Sequence, residues 1–338
     1  MTHGPPEIRL IEIACPLCGE RSHEEQYKTI DHTGTIPGEF RLVRCVSCGL
    51  TYLNPRPSVR DLAACYPPEY TAHRPPSEQK RRTFGLVKRL LLRQYYGWPF
   101  NGHLPRRSAL LRLVLSPLWK PFSRHRRNLR LFPFEGRGRL LDVGCGSGRY
   151  LDMMRTGGWT VTGVEPDPEA AERARALRHL NVHTGTVTDA PLERESFDVI
   201  TLWHVLEHVW NPNEVMERIT GLLAPGGLLV VSTPVIDGYA ARTLGSSWYH
   251  LDVPRHLLHF TRRRLTDLIA FHGFVVTGVV DDPHGSGWRR SFPIADESLR
   301  RAGWFQRLAT NKRHRRRFDA ELARRGEASV VIVHARKR

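Results

Sequence analysis

The stretch that most constrains the fold is Arg139–Arg149. A short apolar strand, Arg139–Val143, runs directly into Gly144-Cys145-Gly146-Ser147-Gly148, and a helical pattern follows. A glycine turn between a strand and a helix lets a ligand approach the backbone and meet the positive end of the helix. Six further strands are predicted, at Thr160–Glu165, Asn181–His183, Phe197–Trp203, Leu228–Thr233, Phe274–Asp281 and Ser329–His334. Helices are predicted near 149–156, 168–178, 212–223 and 261–272. This alternation specifies an α/β domain on a parallel sheet. The glycines are spaced G-x-G-x-G, unlike the G-x-G-x-x-G of dinucleotide sites. Asp142, two positions ahead of the first glycine, would repel a pyrophosphate and attract an ammonium or sulfonium. The second strand ends Val164-Glu165-Pro166-Asp167, which places a carboxylate to accept both hydroxyls of a ribose.

Four of the six cysteines form two close pairs, Cys15-Pro16-Leu17-Cys18-Gly19 and Cys45-Val46-Ser47-Cys48-Gly49, with 26 residues between them. A two-residue gap presents both thiolates from one tight turn, and the following glycine permits the backbone that turn needs. Cys15, Cys18, Cys45 and Cys48 are therefore the expected ligands of a structural Zn²⁺, with residues 20–44 forming a hairpin between the knuckles. Cys65 is given no role.

The 338 residues are 40% hydrophobic and 25% charged, which is ordinary globular composition. No window approaches about 18 uninterrupted apolar residues, so no membrane-spanning helix is expected. Met1–Leu10 lacks the pattern of a secretory signal, and a cytoplasmic protein is expected. The net charge of +17 is unevenly spread. Residues 74–139 carry 17 basic and 2 acidic groups, and residues 289–338 carry 15 and 5, around an acidic centre. An anionic partner fits that pattern: nucleic acid, a phospholipid surface or a phosphate-bearing substrate. Composition divides the chain into a zinc-ribbon domain and connector (1–73), a basic helical linker (74–135) and the α/β domain (136–338). In the linker, Leu and Val alternate with Arg and Lys at near-helical spacing over Thr83–Tyr96 and Arg107–Leu131, with Pro117 and Pro121 expected to interrupt the second stretch. A basic amphipathic helix can lie on an anionic membrane or on nucleic acid, but packing of the apolar stripe on a neighbouring domain, with the arginines in water, is the favoured expectation.

With these motifs in place, the chain resembles the class I S-adenosylmethionine-dependent methyltransferases over about residues 136–338. The resemblance implies a Rossmann-like seven-stranded sheet, last strand antiparallel, with helices on both faces. It implies that Asp142, Gly144, Cys145, Gly146 and Gly148 line the methionine part of the cofactor, that Glu165 and Pro166 hold the ribose, and that Asp189 contacts the adenine. Trp203-His204-Val205-Leu206-Glu207-His208-Val209 looks like the subgroup containing the ubiquinone-biosynthesis O-methyltransferases, as does Asp252–Phe260. In the quinone enzymes a Glu-x-x-Glu-His run is associated with a divalent metal; here His204 stands in the first place.

Methyl transfer needs alignment of donor and nucleophile and, for a hydroxyl or amine, removal of a proton. His204, at the carboxyl end of a strand, is the first candidate for a base or a cofactor-side contact, and His256 the second. His250 and His259 fall in the same segment as His256. The first functional reading is a methyltransferase for a small-molecule or glycan-type acceptor, such as a sugar, natural product or cell-surface component. The second is an RNA methyltransferase that grips phosphates with the ribbon and the basic blocks. A non-catalytic scaffold ranks third, because such a protein has no need of Asp142 beside an intact glycine turn. The oligomeric state stays open.

Overall fold

The computed structural model describes residues 8–66, 84–100, 104–123 and 130–338. The Pro-rich boundary expected at His73–Pro76 lies outside the described residues. In chain order the strands are β1 (Leu10–Ile11), β2 (His23–Ile30), β3 (Glu39–Cys45), β4 (Thr51–Leu53), β5 (Arg56–Pro57), β6 (Arg139–Val143), β7 (Thr160–Glu165), β8 (Asn181–Thr184), β9 (Phe197–Trp203), β10 (Leu223–Pro234), β11 (Leu258–His259), β12 (Phe274–Asp281) and β13 (Val330–Lys337). The α-helices are α1 (Leu86–Leu91), α2 (Ala109–Ser123), α3 (Arg149–Thr156), α4 (Pro168–Arg178), α5 (Pro212–Leu222), α6 (Tyr239–Leu244), α7 (Arg262–Phe271), α8 (Trp288–Ser291), α9 (Glu297–Arg301), α10 (Gly303–Thr310) and α11 (Lys312–Arg324).

The seven-stranded sheet has the order β12-β13-β10-β9-β6-β7-β8, with its last strand antiparallel as expected. β6 is paired in parallel with β7 on one side and β9 on the other, so the chain order reverses there. Such a reversal is where open α/β sheets hold ligands. The strands read as continuous apolar runs because both faces are covered: Leu140, Leu141, Val199, Ile200, Leu202, Leu229, Val230 and Val231 are buried. α4 shows why its ends lie where they do. Asp167 at the N-cap accepts from the Ala170 amide at 2.5 Å, and Pro168 takes the first helical position, where no amide donor is needed.

Two compact units emerge. One comprises Met1–Tyr70, Trp203–Glu217 and Val231–Ala335, and the other Thr71–Leu202, Arg218–Val230 and Arg336–Arg338. They do not follow the compositional divisions at 73 and 135, because the four-cysteine part is built together with later segments. β11 adds to the edge of the ribbon sheet, giving the order β11-β4-β3-β2, with Leu258 opposite Tyr52 and His259 opposite Thr51.

Two expectations for the linker are corrected. α2 runs through Pro117 and Pro121. A helical proline removes a donor and crowds the carbonyl four residues back, but both prolines are exposed, where water can satisfy that carbonyl. The expected packing is met only in part: Leu111, Leu115, Trp119 and Phe122 are half-buried, and no described residue of α2 is fully buried. A third difference is at the C-terminal basic stretch, which folds into α8–α11; its arginine density hid the apolar positions Trp288, Phe305 and Leu308 that anchor it.

Candidate active site

The glycine turn is assembled within one unit. Gly144, Gly146 and Gly148 all take positive φ, at 68°, 54° and 73°. At Gly148 a Cβ would also lie 2.4 Å from the Leu180 side chain and 3.0 Å from Cβ of Ala174, so this glycine lets the turn close onto α4. Gly163 on β7 has an analogous steric role that the sequence reading missed. A Cβ there would meet the Cys145 sulfur at 2.6 Å, and a lone glycine inside a strand is the signal that could have revealed it. Cys145 is buried, and burial pushes its thiol up. Glu165 ties the turn together: Oε2 accepts from the Gly146 amide at 2.7 Å and Oε1 from the Asp167 amide at 3.0 Å. Asp142 is buried in β6 and accepts one hydrogen bond, 2.6 Å from the Thr201 hydroxyl on β9. Burial raises its carboxyl to about 7, with Thr201 acting against the rise. Pro166 and Asp189 are exposed; Asp189 accepts from Thr186 and closes the turn after β8. The glycine turn at the sheet reversal thus has two buried carboxylates beside it, Asp142 and Glu165.

The histidine cluster lies in the other unit. His204 follows β9 directly, with a left-handed φ of 58° and its amide donating to the Ser232 carbonyl at 2.8 Å. Its Nδ1 lies 3.2 Å from Glu207 Oε1, and the Thr233 hydroxyl donates to Glu207 Oε2 at 2.8 Å. Burial alone would raise the Glu207 carboxyl, but the His204 hydrogen bond and the surrounding histidines hold it at about 2. The Glu207 carboxylate thus fixes the Nδ1 side of the His204 ring. The His204 side chain is 35% exposed and that of Glu207 only 2%. His256 is buried, with Nδ1 2.7 Å from the His250 carbonyl, and burial pushes it to about 3. His259 is driven to about 4 in the same way.

Arg255, which the sequence reading passed over, anchors this cluster. It is wholly buried, and its guanidinium bonds Asp31 at 2.6 Å, Asp252 at 2.7 Å and the Cys65 carbonyl at 3.0 Å. The expected zinc ligands also meet. Sγ of Cys15 lies 3.5 Å from that of Cys48, and Cys18 the same distance from Cys45, with all four within 4.8 Å. That spacing is too long for a disulfide and close to the edge of a tetrahedron with ~2.3 Å metal–sulfur bonds. Burial pushes the Cys48 thiol up to about 11. The donor set is compatible with zinc. Glu207, His208 and His256 also bring ligand atoms within 4.8 Å. Their contacts are already made within the protein: His208 Nδ1 lies 3.0 Å from the Tyr66 hydroxyl and 3.1 Å from the Arg255 carbonyl.

Comparison with known proteins agrees with this geometry. A family model described as a methyltransferase domain matches residues 121–279. A ubiquinone biosynthesis O-methyltransferase of Methylocella silvestris is 30% identical over 201 residues, covering 55% of this chain and 77% of that protein. A tRNA U34 carboxymethyltransferase of Methylococcus capsulatus is 29% identical over 178 residues, covering 48% of this chain and 55% of that protein, so the chain spans about half of that relative's length. The solved structure of an S-adenosylmethionine-dependent methyltransferase from Mesorhizobium loti is 19% identical, covers 65% of this chain and 97% of that one, and has a TM-score of 0.43. The glycine turn, its two carboxylates and the sheet order thus carry the same assignment as the similarity to the quinone enzymes: the chain belongs to the class I S-adenosylmethionine-dependent methyltransferases.

Proposed function

We propose that this methyltransferase acts on a small-molecule acceptor, such as a sugar, natural product or cell-surface component, with His204 as general base. The observation that carries this reading is the His204–Glu207 pair. A buried, ionised carboxylate holds Nδ1–H and leaves Nε2 of a partly exposed imidazole to accept a proton. The left-handed backbone at His204 is a further sign, since such strain persists where function uses it. S-adenosylmethionine supplies an electrophilic methyl group on a sulfonium when bound. Asp142 offsets the positive charge, Glu165 and Pro166 receive the ribose, Asp189 meets the adenine, and Cys145 with the three glycines shapes the methionine side. Zinc on Cys15, Cys18, Cys45 and Cys48 holds the ribbon as an acceptor-side module. His256 ranks below His204 because burial removes its basicity.

A second reading, RNA methylation, draws on the tRNA-modifying relative and the basic stretches. Labelled methyl transfer separates the two: incorporation into small-molecule fractions supports the first, and incorporation into RNA only would overturn it. With the acceptor found, His204→Ala and Glu207→Gln are expected to lower kcat by about 10²–10⁴. Affinity for S-adenosylhomocysteine should hold in both. Unchanged turnover in both variants would remove His204 from the mechanism.

A further inference from the structure

α2 exposes a continuous aliphatic face. Leu110, Leu113, Val114 and Leu118 are 72%, 70%, 65% and 48% exposed, and Pro117 and Pro121 lie on the same side. Their spacing of three and one residues repeats along the helix, so the six form a single stripe more than a quarter of the way around it. A different face attaches α2 to the fold: Leu111, Leu115, Trp119 and Phe122 are half-buried, and Trp119 stacks on Tyr95 with ring centroids 4.2 Å apart. Isolated exposed leucines are ordinary, but an ordered stripe of six marks an interaction surface.

The charge around it identifies the partner. Residues 79–134 contain fourteen Lys and Arg and not one Asp or Glu. Among the described residues, Arg106, Arg107, Arg112 and Lys120 are exposed on or beside α2. Leu86 and Val87 of α1 add further exposed aliphatic surface within the same unit. No helix among the described residues is long and apolar enough to cross a membrane. We propose that α2 is an interfacial helix that docks this methyltransferase onto an anionic lipid surface. Aliphatic side chains enter the acyl boundary while the cationic flank meets the headgroups. Nucleic acid would use the arginines but has no place for four exposed aliphatic residues, since base stacking calls for aromatic or guanidinium planes. The proposal stands independently of the acceptor reading, as it rests on α2, the exposed face of α1 and the charge of residues 79–134.

Vesicle co-sedimentation of the full chain tests it. Vesicles of equal parts phosphatidylglycerol and phosphatidylcholine should bind the protein at about 0.1 M salt, and pure phosphatidylcholine should not. Arg112→Gln with Lys120→Gln should weaken partition by about fivefold per charge removed. Serine at Leu110, Leu113, Val114 and Leu118 together should weaken it by about tenfold or more, with S-adenosylhomocysteine binding intact as a check on folding. The single variant Leu113→Trp should show a blue-shifted fluorescence increment over the wild type only with anionic vesicles, which keeps the test open should the quadruple variant misfold. Absence of binding to anionic vesicles would overturn the proposal. So would partition indifferent to the serine changes, a dimer that the same changes dissolve, or binding to RNA that depends on the four aliphatic residues.

Discussion

The glycine turn after β6 and the histidine cluster after β9 handle buried carboxylates in opposite ways. In the turn, Asp142 has one hydroxyl donor, and burial lifts it to about 7. Thr201 and the charge of Arg130 act against that rise without cancelling it. In the cluster, burial acts in the same direction on Glu207 and Asp252, yet His204 holds the first, and His256 with Arg255 the second, at about 2. The cluster is compensated by the protein itself, so it serves to fix side chains. The neighbours, and not the depth of burial, therefore set the direction in which each carboxyl moves.

The comparison is broken most severely by removing zinc. One zinc per chain is expected by elemental analysis, and Cys45→Ser should abolish it and unfold β2–β4, since structural zinc is worth roughly 10–16 kcal/mol in isolated fingers. Full thermal stability without metal would dismiss the zinc site. The next effect is at Arg255. Arg255→Met leaves Asp31 and Asp252 buried without their cation and should cost about 3–5 kcal/mol in denaturant unfolding. A loss below about 1 kcal/mol, the scale of a surface pair, would mean that the cluster is not the scaffold described.

The smallest effect tests the turn. Asp142→Asn should weaken S-adenosylmethionine binding by about 1.5–3 kcal/mol in calorimetry. The pH dependence gives the sign. A cationic ligand favours the carboxylate, so wild-type affinity should rise as pH climbs through about 7, and the Asn variant should lack that rise. Stability runs the other way: the raised Asp142 favours the folded state at low pH, and this contribution is lost as pH rises through about 7. Glu207, lowered in the fold, contributes stability above its ordinary value, and that is lost as pH falls toward about 2. Parallel pH slopes in Asp142→Asn and Glu207→Gln would dissolve the contrast.

The features legible in the sequence are local. The bounds of β6, β7, β9 and β12 and of α3 and α4 coincide with the periodic pattern, because each is set by near-neighbour sterics, caps and alternation. The glycine turn and the two cysteine knuckles were legible for the same reason: each motif carries its geometry within ten residues or fewer. His204 was legible as a residue at a strand end, but its bond to Glu207 and the Thr233 brace came from the fold. Only the tertiary structure paired Arg255 with Asp31, 224 positions away, and set β11 against β4. It alone showed that the leucine stripe of α2 faces outward. A buried charge pair and a helix face leave no periodic signature of where they go, since amphipathic spacing specifies that a face exists and not what covers it.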